Sequence, residues 1–328
     1  MHPGSGIHPY PFKMSSAYNS CNGCSPSFFD MISLCYKPHS EELVKFLKEH
    51  GCLSDQVRCP KCNDIKDASW TEVLFTCRTQ AAAENKKPMC AYSESVLTGT
   101  FFDNSELDIS VVCNLVTEFL SKNYPIIEYL QNELDLPQET VVYWISRIRE
   151  VLIYWNDKHL ERKIGGPCAI VEIDKCTLGK GKDETAQYVF GGIEVETRNI
   201  FIVPVEEVES STVQAIIKDH IEPGTTVVSD CWKSYDRGLS SEGLYDLEEN
   251  HAITFVSPDS GDLGEHMKQL WRDLEDIVPK YGRKKENMPG YVAEFLFKHK
   301  YPNHRERFHH FFKALTELYS PTYFYRCC

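Results

Sequence analysis

The sequence predicts an α/β fold: a mixed five-stranded sheet flanked by helices, preceded by a small cysteine-bearing ribbon and a helical unit. Three observations point that way. Beyond Gly165 the apolar pattern shortens to the period of strands. Two of those runs, Cys168-Ala-Ile-Val-Glu-Ile-Asp174 and Thr225-Thr-Val-Val-Ser-Asp230, end abruptly in a carboxylate. Upstream, cysteines pair at close spacing, and residues 107–155 carry helical periodicity throughout.

Composition bounds what such a chain can do. With 328 residues it is long for one domain, so two or three compact units with sizeable cores are expected. A net charge of -13 excludes a uniformly basic nucleic-acid binder, so any DNA contact rests on local basic clusters. The opening Met1-His-Pro-Gly-Ser-Gly-Ile-His-Pro-Tyr10 lacks the apolar core of a secretory signal, and no apolar run approaches the roughly 20 residues of a membrane span. The fourteen cysteines are therefore expected in a reducing compartment, where clustered thiols bind metal before they form disulfides. A secreted disulfide-bonded protein is the alternative.

Residues 1–54 read as a flexible extension with one short helix. The first part, to about residue 38, is rich in Pro, Gly, Ser and His and has no sustained period. Cys21-Asn-Gly-Cys24 has zinc-knuckle spacing but no second pair nearby, and reads as incidental. Leu43, Val44, Phe46 and Leu47 then form the stripe of a helix that Gly51 ends. Residues 55–104 read as a zinc ribbon. In Cys59-Pro-Lys-Cys62 two thiolates on a tight turn can grip one side of a tetrahedral ion, and Cys77 and Cys90 supply the other half. The twelve residues inside that second half exceed the usual two to four, but the insert is polar and can loop out. Buried free thiols are the alternative.

Residues 105–160 have helix-turn-helix layout. Residues 125–134 form the first helix, Asp135-Leu136 the turn, and residues 137–149 the second, with Val141, Trp144, Ile145 and Ile148 as its apolar stripe. Gln138, Thr140 and Arg147 are its candidates for DNA contact, though the N-terminal turn offers Gln138 and Glu139 with no Lys or Arg. A helical hairpin that only packs is the alternative.

Residues 165–300 form the sheet unit. Strands at 168–174, 187–195 and 200–205 are followed by a helix at 211–221, a strand at 225–230, a strand at 252–256 and a long helix at about 263–278. This order is the retroviral-integrase and RNase H arrangement, in which the first and fourth strands are neighbours. It sets Asp174 beside Asp230 and brings the last helix over them. Either aspartate alone is weak, because strand-end aspartates commonly cap turns. Residues 301–328 close the chain as a basic, aromatic tail. Across the C-terminal portion Lys280, Arg283, Lys284, Lys285, Lys298, Lys300, Arg305 and Arg307 supply the chain's basic surface, with Lys284 and Lys285 the DNA candidates and a solvated face the alternative. The interleaved histidines read as surface or packing residues.

In these motifs the chain resembles Merlin-type DDE transposases and their bacterial insertion-sequence relatives. The matching residues include Val171-Glu-Ile-Asp-Lys175, Tyr188-Val-Phe-Gly-Gly-Ile-Glu194, Pro223-Gly-Thr-Thr-Val-Val-Ser-Asp-Cys-Trp-Lys-Ser-Tyr235, Asn250-His-Ala-Ile-Thr-Phe-Val256, Trp271 and Pro279-Lys-Tyr-Gly282. The resemblance implies binding of double-stranded transposon ends, synapsis by a dimer, and nuclear residence, or cytoplasmic in a prokaryote. It also implies a nuclease centre of two Asp and one Glu holding two Mg²⁺ or Mn²⁺. Asp174 and Asp230 match the first two ligands. At the third, counted back from Trp271, stands Lys268, and Glu265 occupies the family's Asn position. A unit charge 4 Å from another costs about 4 kcal/mol at an effective dielectric near 20, and a lysine facing a divalent ion about twice that. Lys268 is therefore no ligand. Glu265, one turn nearer the helix start, is the candidate substitute, and otherwise a domesticated, catalytically inactive DNA- or protein-binding module is expected.

Overall fold

The structure is a computed structural model, and it describes residues 21–38, 40–70, 73–78, 90–123, 127–178, 187–207, 209–229, 254–256, 264–279 and 284–319. Short polar side chains cap the first three helices at their starts. In α1 (Phe28–Cys35) Ser27 and Asp30 form a capping box, and Ser40 caps α2 (Glu41–Glu49). Two hairpins follow, β1 (Gln56–Arg58) with β2 (Ile65–Asp67) and β3 (Leu74–Cys77) with β4 (Tyr92–Ser95). Asp108 caps α3 (Ile109–Ser121). The next helix, α4 (Ile127–Leu134), stops at Asp135, whose φ of 50° lets the Leu136 N–H reach back to the Gln131 carbonyl.

The helix α5 (Gln138–His159) is the axis of the helical layer. It runs past Arg149, where the sequence pattern ends it, because Val151, Leu152 and Trp155 continue the buried stripe of Val141, Trp144, Ile145 and Ile148. At 22 residues it spans about 33 Å.

The sheet contains β6 (Ile170–Leu178), β7 (Gln187–Glu194), β8 (Ile200–Val205), β10 (Thr226–Val228) and β11 (Thr254–Val256) in the order β11-β10-β6-β7-β8. β6, β7 and β8 form an antiparallel meander, while β10 lies parallel to both β6 and β11. A minor parallel pair joins β5 (Ile164–Gly165) to β9 (Ile221–Glu222), the latter directly after α6 (Ser210–His220). Alternation along the strands sends Val171, Ile173, Phe190 and Phe201 to one face, against Val213, Ile216 and Ile217 of α6. The other face carries Leu178, Val189, Ile193, Ile200 and Ile202. It is covered by α7 (Glu265–Ile277) and α8 (Met288–Lys300) through Met267, Leu270, Trp271, Leu274, Val292 and Phe295. Asp174 is not the last residue of its strand: β6 continues to Leu178, paired throughout with β7, so this carboxylate emerges from mid-strand.

Two segments expected outside the folded units belong to the core. α1 and α2 bury Met31, Leu43, Val44 and Leu47, and α9 (His304–Leu318) buries Phe308, Phe311, Phe312 and Leu315 in the same cluster as α3 and α5. Their apolar stripes needed a partner, and each supplies the other's. Two of the basic residues are also interior. Lys298 is 5% exposed and donates to Glu294 Oε1 at 2.7 Å, while Arg149 of α5 donates to Glu294 Oε2 at 2.8 Å. Arg307 donates to the carbonyls of Tyr301 and Leu120 and to Asn123 Oδ1, at 2.7, 2.9 and 2.9 Å. Gly290 leaves room for the Arg149 stem, since a Cβ there would lie 3.0 Å from Arg149 Cδ.

Burial pushes the Glu294 carboxyl up, but Lys298 and Arg149 together outweigh it and hold it below the ordinary carboxylate range. Its contribution to stability is therefore present above the unfolded carboxylate pKa and lost as pH falls through the lowered folded value. Glu294→Gln strands two buried cations and is expected to cost about 3 kcal/mol in urea unfolding at neutral pH. That deficit should narrow as pH falls below about 4, the ordinary carboxylate value.

Candidate functional site

Asp174 faces α7 from the middle of the sheet. Its Oδ2 accepts the Trp271 indole N–H at 3.1 Å. The residue opposite it on β7 is Gly191, and a Cβ there would sit 2.9 Å from Trp271 Cη2 and 2.7 Å from the Phe201 carbonyl oxygen. Glycine at 191 is thus what lets the indole lie flat enough on the sheet to reach the carboxylate.

Two residues earlier on the same face, Glu172 is 1% exposed. It accepts from His266 Nδ1 at 2.8 Å and from the Met267 backbone N–H at 3.3 Å. Gly264, at the N-cap of α7 with φ 102°, has no side chain to satisfy that first turn. Glu172 does so from the neighbouring strand, and its charge sits favourably at the positive end of the helix. Sequence reasoning passed over Glu172. The signal was a second acidic residue in phase with Asp174, which on a covered sheet face requires its own partner.

These two contacts set what α7 turns outward. Lys268 and Glu265 form an ion pair at 2.9 Å, with side chains 57% and 55% exposed. The hydrogen bond from Lys268 holds the Glu265 carboxyl below its usual range. Asp230 lies outside the described residues. Among the described residues, the groupings of three or more His, Cys, Asp or Glu side chains close enough to share an ion are both built on cysteine, and neither includes Asp174.

One grouping is Cys59, Cys62, Cys77 and Cys90, whose sulfurs all lie within 4.8 Å of one another. The first pair sits on the turn after β1, where the Cys59 N–H donates to the Asp64 carbonyl and Asn63 adopts φ 62°. Cys77 ends β3 and Cys90 lies just before β4. Cys59–Cys90 and Cys62–Cys77 sulfur separations are 3.7 and 3.4 Å, against about 3.8 Å for two thiolates on a tetrahedral Zn²⁺. The set could therefore hold a structural metal such as Zn²⁺. Phe75 and Val96 pack behind it as a small core of their own. The other grouping joins Cys21 and Cys24 to His50 and His309. The knuckle that looked incidental has its partners elsewhere in the chain.

The residues suggested for DNA contact are scattered. Gln138 is exposed and Thr140 half-buried at the start of α5. Arg147 lies 4.6 Å over the Tyr319 ring and pairs with Glu150 at 3.1 Å, so it is engaged in the fold. Lys285 pairs with Glu206 at 2.6 Å across an exposed surface, beside exposed Lys284. Lys280 and Arg283 lie outside the described residues.

No family model matches the sequence, and no curated protein matches it. Among solved structures, a chain of the simian T-cell lymphotropic virus intasome in complex with PP2A regulatory subunit B56 gamma aligns at 12% identity and a TM-score of 0.30. The alignment covers 44% of this chain and 61% of that one. No helix among the described residues is long and apolar enough to cross a membrane.

Gly191→Ala is expected to drive Trp271 off Asp174 and lower stability by about 1–3 kcal/mol, the range for overpacking a filled interior. The thermal midpoint measures the loss, and quenching of Trp271 fluorescence by a soluble quencher should rise relative to Gly191.

Proposed function

We propose that this chain is a transposase-derived DNA-binding protein. In this reading its sheet unit is RNase H-like, its ribbon and α4–α5 pair are inherited DNA-binding parts, and its nuclease centre is incomplete. The observation that carries the reading is the Glu265–Lys268 pair, turned to solvent one helical turn before the Trp271 that closes on Asp174. The strand order supports the fold assignment. β10 lies parallel beside β6 with Val228 opposite Glu172, the neighbour relation expected between the first and fourth strands, while Asp230 itself lies outside the described residues. The motifs shared with Merlin-type transposases support the descent.

The described residues do not fit a two-ion Mg²⁺ or Mn²⁺ centre. Glu172 is committed to the first turn of α7, a lysine takes the place of the third carboxylate, and Asp174, which accepts an indole N–H on Oδ2, is left without a second metal ligand among them, Asp230 lying outside the described residues. In a complete centre the ions would activate a water or a DNA 3′-hydroxyl and stabilise the leaving oxygen. Here Asp174 serves instead to seat α7 on the sheet. Binding would rest on duplex DNA through local basic surface and on a dimer for pairing two ends, with nuclear residence in a eukaryotic host. A purely protein-binding module is the second reading, favoured by the net charge of -13 and by the internal use of Arg147, Lys298 and Arg307.

The test combines binding and cleavage. Fluorescence anisotropy with a duplex DNA should show affinity that falls steeply with salt, as counterion release requires. Lys284→Ala/Lys285→Ala should weaken binding and shallow the salt slope by about 2. Supercoiled plasmid with Mn²⁺ should remain unnicked. Nicking lost in Asp174→Asn, Asp230→Asn and Glu265→Gln would show an active centre, and the absence of any salt-sensitive DNA binding would favour the protein-binding module.

A further inference from the structure

The four residues Cys21, Cys24, His50 and His309 come from three places. The knuckle precedes α1, His50 is the C-cap of α2, and His309 lies on α9. Cys24 Sγ is 3.3 Å from His50 Nε2 and 3.5 Å from His309 Nδ1, while Cys21 Sγ is 3.5 Å from His309 Nδ1. All four ligand atoms lie within 4.8 Å of one another. A thiolate and an imidazole nitrogen bound to one tetrahedral Zn²⁺ stand about 3.6 Å apart. His50 is 1% exposed, and its Nδ1 meets the Phe46 carbonyl at 2.8 Å. That bond places the proton on Nδ1 and turns the Nε2 lone pair toward the sulfurs, as an outer partner does for a metal-bound histidine.

Two thiol protons leave one of the three sulfur–nitrogen contacts without a thiol hydrogen to share. Cys24 has one proton and faces two ring nitrogens, and His309 Nδ1 faces two sulfurs. Lone pairs converge from four sides on a point that a cation would satisfy. Two thiolates also cancel the charge of one Zn²⁺, so the group is neutral where it is enclosed. The surroundings are built to hold it. The Cys21 N–H donates to the Glu49 carbonyl at the end of α2, and Thr316 of α9 donates to the His50 carbonyl at 2.8 Å. Phe46 and Phe312 pack edge to face at 5.3 Å beside the cluster.

We propose that Cys21, Cys24, His50 and His309 form a second zinc site, separate from the ribbon, that clasps the N-terminal helices to α9. Its ligands Cys21 and His309 stand 288 positions apart, so the ion closes nearly the whole described chain into one loop. It makes α1, α2 and α9 a single metal-locked layer against α3 and α5. The site does not depend on the DNA-binding reading.

The experiment is metal counting on the full chain purified with Zn²⁺. Two zinc ions per chain are expected, falling to one in Cys21→Ser/Cys24→Ser, one in His309→Ala, one in Cys59→Ser/Cys62→Ser, and none when the two cysteine pairs are combined. Co²⁺ loaded into Cys59→Ser/Cys62→Ser should give tetrahedral visible bands with the weaker thiolate charge-transfer of a two-sulfur site. Because that variant keeps the clasp and removes the ribbon ligands, it tests the site even if Cys21→Ser/Cys24→Ser fails to fold. Limited proteolysis of His309→Ala should release the segment ahead of β1. One zinc per chain that vanishes in Cys59→Ser/Cys62→Ser would overturn the proposal, as would recovery of Cys21 and Cys24 as a disulfide from protein purified under reducing conditions.

Discussion

The rotation of α7 about its own axis is fixed at two points, and the character of the candidate site follows from it. At its first turn the buried carboxylate of Glu172 takes the Met267 N–H and the His266 ring. Little more than one turn later the Trp271 indole fills the space left by Gly191 and donates to Asp174. With both pinned, the face carrying Met267, Leu270, Trp271 and Leu274 must meet the sheet, and Glu265 and Lys268 must turn to solvent. Bringing Glu265 inward would require breaking a buried, charge-assisted contact. Hydrogen bonds to charged groups contribute about 1.5–3 kcal/mol each, so the helix does not rotate freely.

A second constraint joins the layers. α5 and α8 cross at a buried cluster in which Glu294 takes Arg149 on one oxygen and Lys298 on the other, with Phe119 and Tyr291 rings covering the cations. The helical layer is thereby attached to the helix that covers the sheet. α9 returns to the same layer, so the two ends of the described chain meet across it. The zinc clasp proposed at Cys21, Cys24, His50 and His309 lies at that meeting point.

Much of the sheet was legible in the sequence. Period-two runs separated by turn residues, such as the stretch around Arg198 with its φ of 62°, mark strands wherever one or both faces are buried. Cys59-Pro-Lys-Cys62 was legible because its geometry is local. What stayed hidden depends on contacts distant in sequence. The partners of Cys24 are 26 and 285 positions away, beyond any spacing rule. Arg307 read as surface charge because nothing local shows the carbonyls that await it, and Lys298 because its i,i+4 spacing from Glu294 does not reveal that α5 buries the pair. α9 could have been found: Phe308, Phe311, Phe312 and Leu315 have helical spacing, but the histidines, arginines and lysine among them disguised it as a tail. Glu172 was hidden because an acidic residue inside a strand carries no end signal, and its partner on α7 is 94 positions away.

In the proposed reading Asp174 seats α7 on the sheet and holds no catalytic divalent ion. Electron paramagnetic resonance of free Mn²⁺, titrated into the zinc-loaded full chain, addresses it directly. The same free-ion signal is then expected for the native chain and for Asp174→Asn at every ratio, with Asp174→Asn distinguished only by a lower thermal midpoint. A saturable loss of free Mn²⁺ in the native chain that Asp174→Asn removes would contradict it.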